Sequence, residues 1–112
     1  MLSRHSRFHG HKSLNFVYRN GKSTRDPRVT LRYVVNTRQD SCRVAVVVSK
    51  KVNKSAVKRN RIRRRIYEVV ANEKIKGNYD LVFSVYNDEL GNIKFEELRS
   101  TIRNLLINAG VI

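Results

Sequence analysis

Residues 43–86 read RVAVVVSKKVNKSAVKRNRIRRRIYEVVANEKIKGNYDLVFSVY, and three hydrophobic patterns follow one another inside them. Residues 43–49 hold Val44, Ala45, Val46, Val47 and Val48 in succession. β-Branched side chains fit a pleated surface, and an apolar run without alternation suits a central strand covered on both faces. From Ser55 the pattern changes: Ile62, Ile66, Val69 and Val70 recur at i, i+4, i+7 and i+8, one stripe of an amphipathic helix. That helix is expected to run about 20 residues and to close near Lys76-Gly77-Asn78, where glycine permits a left-handed terminus. Tyr79, Leu81, Phe83 and Val85 then alternate with Asp80, Val82, Ser84 and Tyr86, the period of a strand. Two strands joined through such a helix can lie parallel in one sheet.

Working outward from this unit, residues 28–36 alternate Val29, Leu31, Tyr33 and Val35 against Thr30, Arg32 and Val34, a half-buried strand. It is expected to pair as a hairpin with 43–49 across a polar turn at 37–41. Lys22–Arg25 is a short strand ahead of the Asp26-Pro27 turn. Before it, Ser13 is placed to cap a two-turn helix carrying Leu14, Val17 and Tyr18, with Gly21 ending it in a left-handed conformation. Residues 1–12 are basic and polar without an apolar period and read as a flexible arm. At the other end Phe95, Leu98, Ile102, Leu105 and Leu106 share one face of a helix over 94–109, stopped by Gly110. The order αβββαβα predicts an α+β two-layer sandwich in which helices cover one face of a four-stranded sheet and leave the other open. At 112 residues the chain is expected to be a single domain, 1–112.

Charge narrows the function. The formal net charge is +15, and it is uneven: residues 1–67 carry 19 Lys and Arg against Asp26 and Asp40, or +17, whereas residues 68–112 carry five bases against seven acids, or −2. Self-repulsion on that scale points to a polyanionic partner facing the first two thirds. The longest apolar run, Val44 to Val48, is far short of the roughly 20 residues of a bilayer span. The basic N-terminus has no apolar core of a secretory signal, and the lone Cys42 suits a reducing compartment. A cytoplasmic protein without a membrane partner is expected. His5, His9 and His11 lack neighbouring Cys or carboxylates, so no metal site is assigned. No phosphate-cradling glycine loop or nucleophile signature is present. Glu96 and Glu97 sit where acids favour a helix N-terminus. No catalytic residue is assigned.

The decisive segment lies inside the opening stretch. From Lys50 to Arg65, nine of sixteen residues are basic and none is acidic: Lys50, Lys51, Lys54, Lys58, Arg59, Arg61, Arg63, Arg64 and Arg65. A merely solvated helix face intersperses Glu at i, i+4, but here the first acid is Glu68. At 100° per residue Arg59 and Arg63 flank one edge of the apolar stripe, with Arg59 nearest the sheet. Arg61 and Arg65 flank the other edge, and Asn60 and Arg64 point outward. Guanidinium forks hold phosphate oxygens bidentately.

Ser49-Lys50-Lys51-Val52, then Ala56, then Arg59-Asn60-Arg61-Ile62-Arg63-Arg64 resemble the signature of the bacterial ribonuclease P protein component family. The resemblance extends to Arg7-Phe8, to Phe16-Val17-Tyr18-Arg19-Asn20-Gly21-Lys22, to Asp80-Leu81-Val82 and to Glu97-Leu98, so it spans nearly the whole chain. It implies a ribosomal protein S5 domain 2-like fold with a left-handed βαβ crossover. It further implies a subunit of a ribonucleoprotein endonuclease that removes the 5′ leader from precursor tRNA, with the RNA subunit carrying the chemistry and binding Mg²⁺. By the same resemblance Lys50, Lys51, Lys54, Lys58, Arg59, Asn60, Arg61, Arg63 and Arg64 face ribonuclease P RNA. Tyr18 and Tyr33 would line a cleft for the leader, between the first helix and the sheet. Leu14 stands where the family usually has Phe, and Tyr67 where a basic residue is frequent. A ribosomal protein, on charge alone, and a DNA-reading helix are the competing readings.

Overall fold

The computed structural model of the chain describes residues 11–36 and 42–112. Most of the basic arm, with His5, Arg7, Phe8 and His9, and the turn expected over 37–41 lie outside the described residues, as does the side chain of His11. In chain order the elements are α1 His11–Asn20, β1 Lys22–Arg25, β2 Val29–Val35, β3 Arg43–Val48, α2 Ala56–Ala71, β4 Tyr79–Val85, a one-turn 3-10 helix Asp88–Gly91, and α3 Phe95–Ala109. The α+β class and the order of helices and strands are those the sequence predicts. The boundaries differ locally: α1 starts at His11, so Ser13 lies inside it rather than capping it.

The sheet order is β1-β2-β4-β3. β4 runs antiparallel to β2, with Leu31 opposite Phe83, and parallel to β3, with Val46 opposite Phe83. The hairpin expected between β2 and β3 is therefore absent, because β4 lies between them. Its residues 80–85 are all buried, so β4, not β3, is the strand that gains most from a central place. β3 is an edge strand that is still buried on both faces, with α2 on one side and Val17 of α1 against Ala45 on the other. An unbroken apolar run reports coverage of both faces, not rank in the strand order. The exposed edge is blunted in part by Tyr67, whose phenol oxygen accepts a 3.3 Å hydrogen bond from the Val46 N–H.

Alternation divides the residues between two faces. Val29, Leu31, Val44, Val46, Val48, Leu81, Phe83 and Val85 meet Ile62, Ile66, Val69 and Val70 of α2 and Leu98, Ile102, Leu105 and Leu106 of α3. Each such side chain contributes about 1.5–3 kcal/mol on burial, so this cluster dominates the stability. On the opposite face Val17 packs against Ala45 and Val82, with Leu14, Val34 and Val47 at the margin. Helices thus occupy both faces: α1 covers part of the one expected to stay open, and its apolar seat is much the smaller.

Gly21 does not end α1 in a left-handed conformation; the positive-φ glycines among the described residues are Gly77 and Gly110. Its requirement is closeness. A Cβ there would lie 2.5 Å from the Val17 carbonyl oxygen and 3.0 Å from that of Tyr33, where α1 turns against β2. Helix α2 ends at Ala71, earlier than expected, because Asn72 caps it: its amide side chain donates to the Glu68 carbonyl at 2.9 Å. Gly77 supplies its left-handed turn later, in the connection to β4. Gly110 does cap α3 in the left-handed region, as predicted.

Candidate RNA interface

The approach to α2 is built from short-range bonds. The Asn53 side chain accepts from the Ser55 N–H at 2.8 Å and donates to Asp88 at 3.0 Å, and the Ser55 hydroxyl accepts from the Lys58 N–H at 3.3 Å. Ser55 is the N-cap, and the first turn of α2 contains no acid. The helix therefore supplies no acid of its own to its positive end, and the carboxylate beside that end is Asp88, held on Asn53.

The arginines on α2 divide into two kinds. Arg59 donates to the carbonyls of Asn53 and Lys54, both at 2.9 Å. Arg61 donates through Nε to Gly91 at 2.9 Å, and Arg65 donates to the carbonyls of Leu90 and Ile93. Arg63 donates to the Asn60 side chain and, at 3.2 Å, to the Val48 carbonyl at the end of β3. Of the two arginines on that edge of the stripe, Arg63 is thus the one that touches a strand, while Arg59 folds back on the loop. A guanidinium has five donors, so one or two hooks on carbonyl oxygens leave the rest of the fork free and hold it in one orientation. By contrast Lys50, Lys51, Lys54, Lys58 and Arg64 are exposed, and their side chains make no hydrogen bond or ion pair among the described residues. Desolvation first, then repulsion from Arg61, lowers the pKa of Arg65. The predicted basic residues therefore come together as one surface on the N-terminal half of α2 and its approach loop, while Arg65 is committed to the 3-10 turn.

The second predicted site changes. Tyr18 is 40% exposed, and its ring lies 5.1 Å from the guanidinium carbon of Arg32, a cation–π distance. Tyr33 is not beside it. It packs on the α2/α3 face of the sheet, edge-on to Tyr79 with ring centroids 6.4 Å apart. Adjacent strand residues point to opposite faces, so assigning Tyr33 to the cleft is off by one pleat, and Arg32 occupies that place. Alternation carried the signal, because Thr30, Arg32 and Val34 are the residues set against the core series in β2.

The same face holds two open hollows on either side of Tyr86, which the sequence reading did not single out. One, of about 490 Å³, is lined by Arg25, Asp26, Pro27, Thr30, Arg32 and Tyr86. The other, of about 310 Å³, runs from Val47 and Ser84 past Tyr86 to Lys51. A hydrogen bond with Thr30, then the neighbouring Arg32 and Arg25, holds the Tyr86 phenol below its ordinary pKa. At the far end of the face Arg43 grips the buried Asp80 carboxylate through Nε and NH2 at 2.9 and 2.7 Å, and Asn36 donates to it at 2.7 Å. Asp80 raises the pKa of Arg43, chiefly through that hydrogen bond.

Among the described residues no three His, Cys, Asp or Glu side chains gather where they could hold a metal ion, and no helix is long and apolar enough to cross a membrane. The fold and the surface define a class: an α+β sandwich with a strongly basic helix and a half-open, basic sheet face. The model of the family described as Ribonuclease P matches residues 2–110. A ribonuclease P protein component of Clostridium botulinum is 38% identical over 103 residues, covering 89% of this chain and 90% of the relative. One from Clostridioides difficile is 38% identical over 93 residues, covering 80% and 79%. A Staphylococcus aureus RNase P protein has the same fold, with a TM-score of 0.85 at 21% identity over 97% of this chain and 92% of that one. The chain therefore belongs to the ribonuclease P protein family. It is a holoenzyme subunit in tRNA 5′ maturation, with ribonuclease P RNA as its partner.

Proposed function

We propose that the N-terminal half of α2 and residues 49–55 anchor the protein on ribonuclease P RNA, and that the 5′ leader of precursor tRNA crosses the sheet face bearing Tyr18 and Arg32. The observation that carries the first part is the pairing of hooked and free cations. Arg59, Arg61 and Arg63 are oriented by backbone carbonyls, while Lys50, Lys51, Lys54, Lys58, Arg64 and the amide of Asn60 lie exposed around them. Oriented forks suit phosphates at fixed positions, as in a folded RNA, and the first turn of α2, which carries no acid, favours the same ligand. For the second part, an exposed aromatic ring over a guanidinium offers a stacking surface beside a phosphate contact, the combination single strands use.

The whole chain, 1–112, acts on this reading as one RNA-binding domain in the cytoplasm. The RNA subunit binds Mg²⁺ and performs hydrolysis; the protein's side chains hold, orient and neutralise. Reconstitution tests this. Adding the protein to a bacterial ribonuclease P RNA is expected to increase precursor-tRNA cleavage at low Mg²⁺. A folded, RNA-bound sample that gives no stimulation, or that prefers ribosomal RNA or duplex DNA in competition, rejects the assignment.

A further inference from the structure

Helix α1 covers only part of its sheet face. Its apolar seat is Val17 on Val82 and Ala45, a cross-strand row that also contains Arg32 and Ser23 through the pairings Arg32↔Val82 and Ser23↔Arg32. The next row, Arg25, Thr30, Ser84 and Val47, lies beyond that seat, and Tyr86 follows at the end of β4, where its N–H donates to the Arg28 carbonyl. Here the two hollows open. Tyr86 stands between them with 54% of its surface exposed, unusual for an aromatic at the end of a strand whose previous six residues are buried. Its ring shares the larger hollow with Arg32 and with Thr30, which is itself 3% exposed and so gives the ring a rigid floor.

We infer that Tyr86 is a second nucleotide subsite for single-stranded RNA, its ring stacking one base while Arg25 and Arg32 on one side and Lys51 on the other take the flanking phosphates. The charges favour that occupant. The one carboxylate lining the hollows, Asp26, is engaged by Arg28 through both the backbone N–H at 2.9 Å and Nε at 3.3 Å, so the three cations are unopposed. Arg32 is shared with the Tyr18 ring, which makes the two aromatics successive platforms on one track rather than separate sites. Volumes of about 490 and 310 Å³ fall in the range of about 300–1,000 Å³ that ligand-sized clefts occupy. The subsite rests on the reading that the leader crosses this face, and deepens it by giving the strand a second, specified point of contact.

The test uses the reconstituted holoenzyme and two precursor tRNAs, one with a long single-stranded leader and one trimmed to a single leader nucleotide. Tyr86→Ala is expected to weaken binding of the long-leader substrate by about 5- to 150-fold, the range for loss of one aromatic stack, and to leave the trimmed substrate unaffected. Tyr86→Phe keeps the ring and is expected to stay near wild type, which separates stacking from any role of the phenol oxygen. Arg25→Ala is expected to flatten the salt dependence for the long leader alone. If the wild type prefers the long leader and Tyr86→Ala preserves that preference, the subsite is wrong while the wider reading stands. An equal loss on both substrates also overturns it, since Tyr86 would then act on the RNA subunit or on folding. A wild type indifferent to leader length removes both.

Discussion

Arg64 and Arg65 are neighbours in sequence and opposites in use. Arg64 is exposed and unbonded among the described residues, whereas Arg65 closes the carbonyls of Leu90 and Ile93. Arg64→Ala is expected to leave the melting transition in place and to lower the slope of log affinity for ribonuclease P RNA against log salt by about one. Arg65→Ala is expected to destabilise the fold by about 1–3 kcal/mol, because the carbonyls of the 3-10 turn lose their donor; a denaturant titration reads this directly. The helical wheel separates these two arginines from sequence alone. It does not show that Arg65 meets a turn 25 residues further on, because that contact depends on the tertiary fold. Cys42 gives the pH dependence. Burial pushes its thiol from 9.0 up to about 11. The folded protein thus holds this proton more tightly than the unfolded chain, so the stabilisation is complete below about pH 9 and is lost as pH rises toward about 11. Unfolding of the wild type and of Cys42→Ala is expected to converge across that window.

At the scale of elements, pattern reading finds each α-helix and strand of the described residues, but not the 3-10 turn Asp88–Gly91 and not every neighbour. Hydrophobic period reports which faces are buried. It does not report that β4 enters between β2 and β3, since a hairpin and an insertion bury the same side chains. The missing signal was polar. Asp80, the second residue of β4, is buried, and its carboxylate is satisfied by Arg43 of β3 on one side and Asn36, just after β2, on the other. A buried carboxylate needs such partners, so Asp80 helps specify which strands flank β4. Asp80→Ala is expected to cost about 3 kcal/mol, the scale for stripping one partner from a largely buried ion pair. Asp80→Asn, which keeps the shape and one acceptor, is expected to recover part of it. Equal midpoints in urea for wild type and Asp80→Ala would show that the strand order is set by apolar packing alone. The slip at Tyr33 is also an element-scale error: one pleat separates a residue sealed against Tyr79 from one facing Tyr18, and pairing register decides between them.

Across the whole molecule, the two surfaces proposed for RNA are continuous. The chain leaves β3 at Val48 and passes through Lys50 and Lys51 into the approach to α2, so the loop that begins the basic helix also borders the hollow beside Tyr86. The +17 charge of residues 1–67 is legible as a partner preference, yet composition alone does not show that the fold bends it around a corner, with the helix on one side and the sheet on the other. Lys51 stands at that corner and Lys58 does not: Lys58 lies on the first turn of α2, bordering a separate hollow with Arg61 and Asp88. Charge reversal distinguishes the two positions. Lys58→Glu is expected to weaken association with ribonuclease P RNA by roughly tenfold at moderate salt while leaving the ratio of affinities for long- and short-leader precursor tRNA unchanged once the holoenzyme is assembled. Lys51→Glu is expected to weaken association by a similar factor and also to shrink that ratio, because the reversed charge faces the leader's path as well as the RNA subunit. If both substitutions shift only association, the helix and the sheet face act independently, and the loop from Ser49 to Val52 is a connector rather than a shared contact.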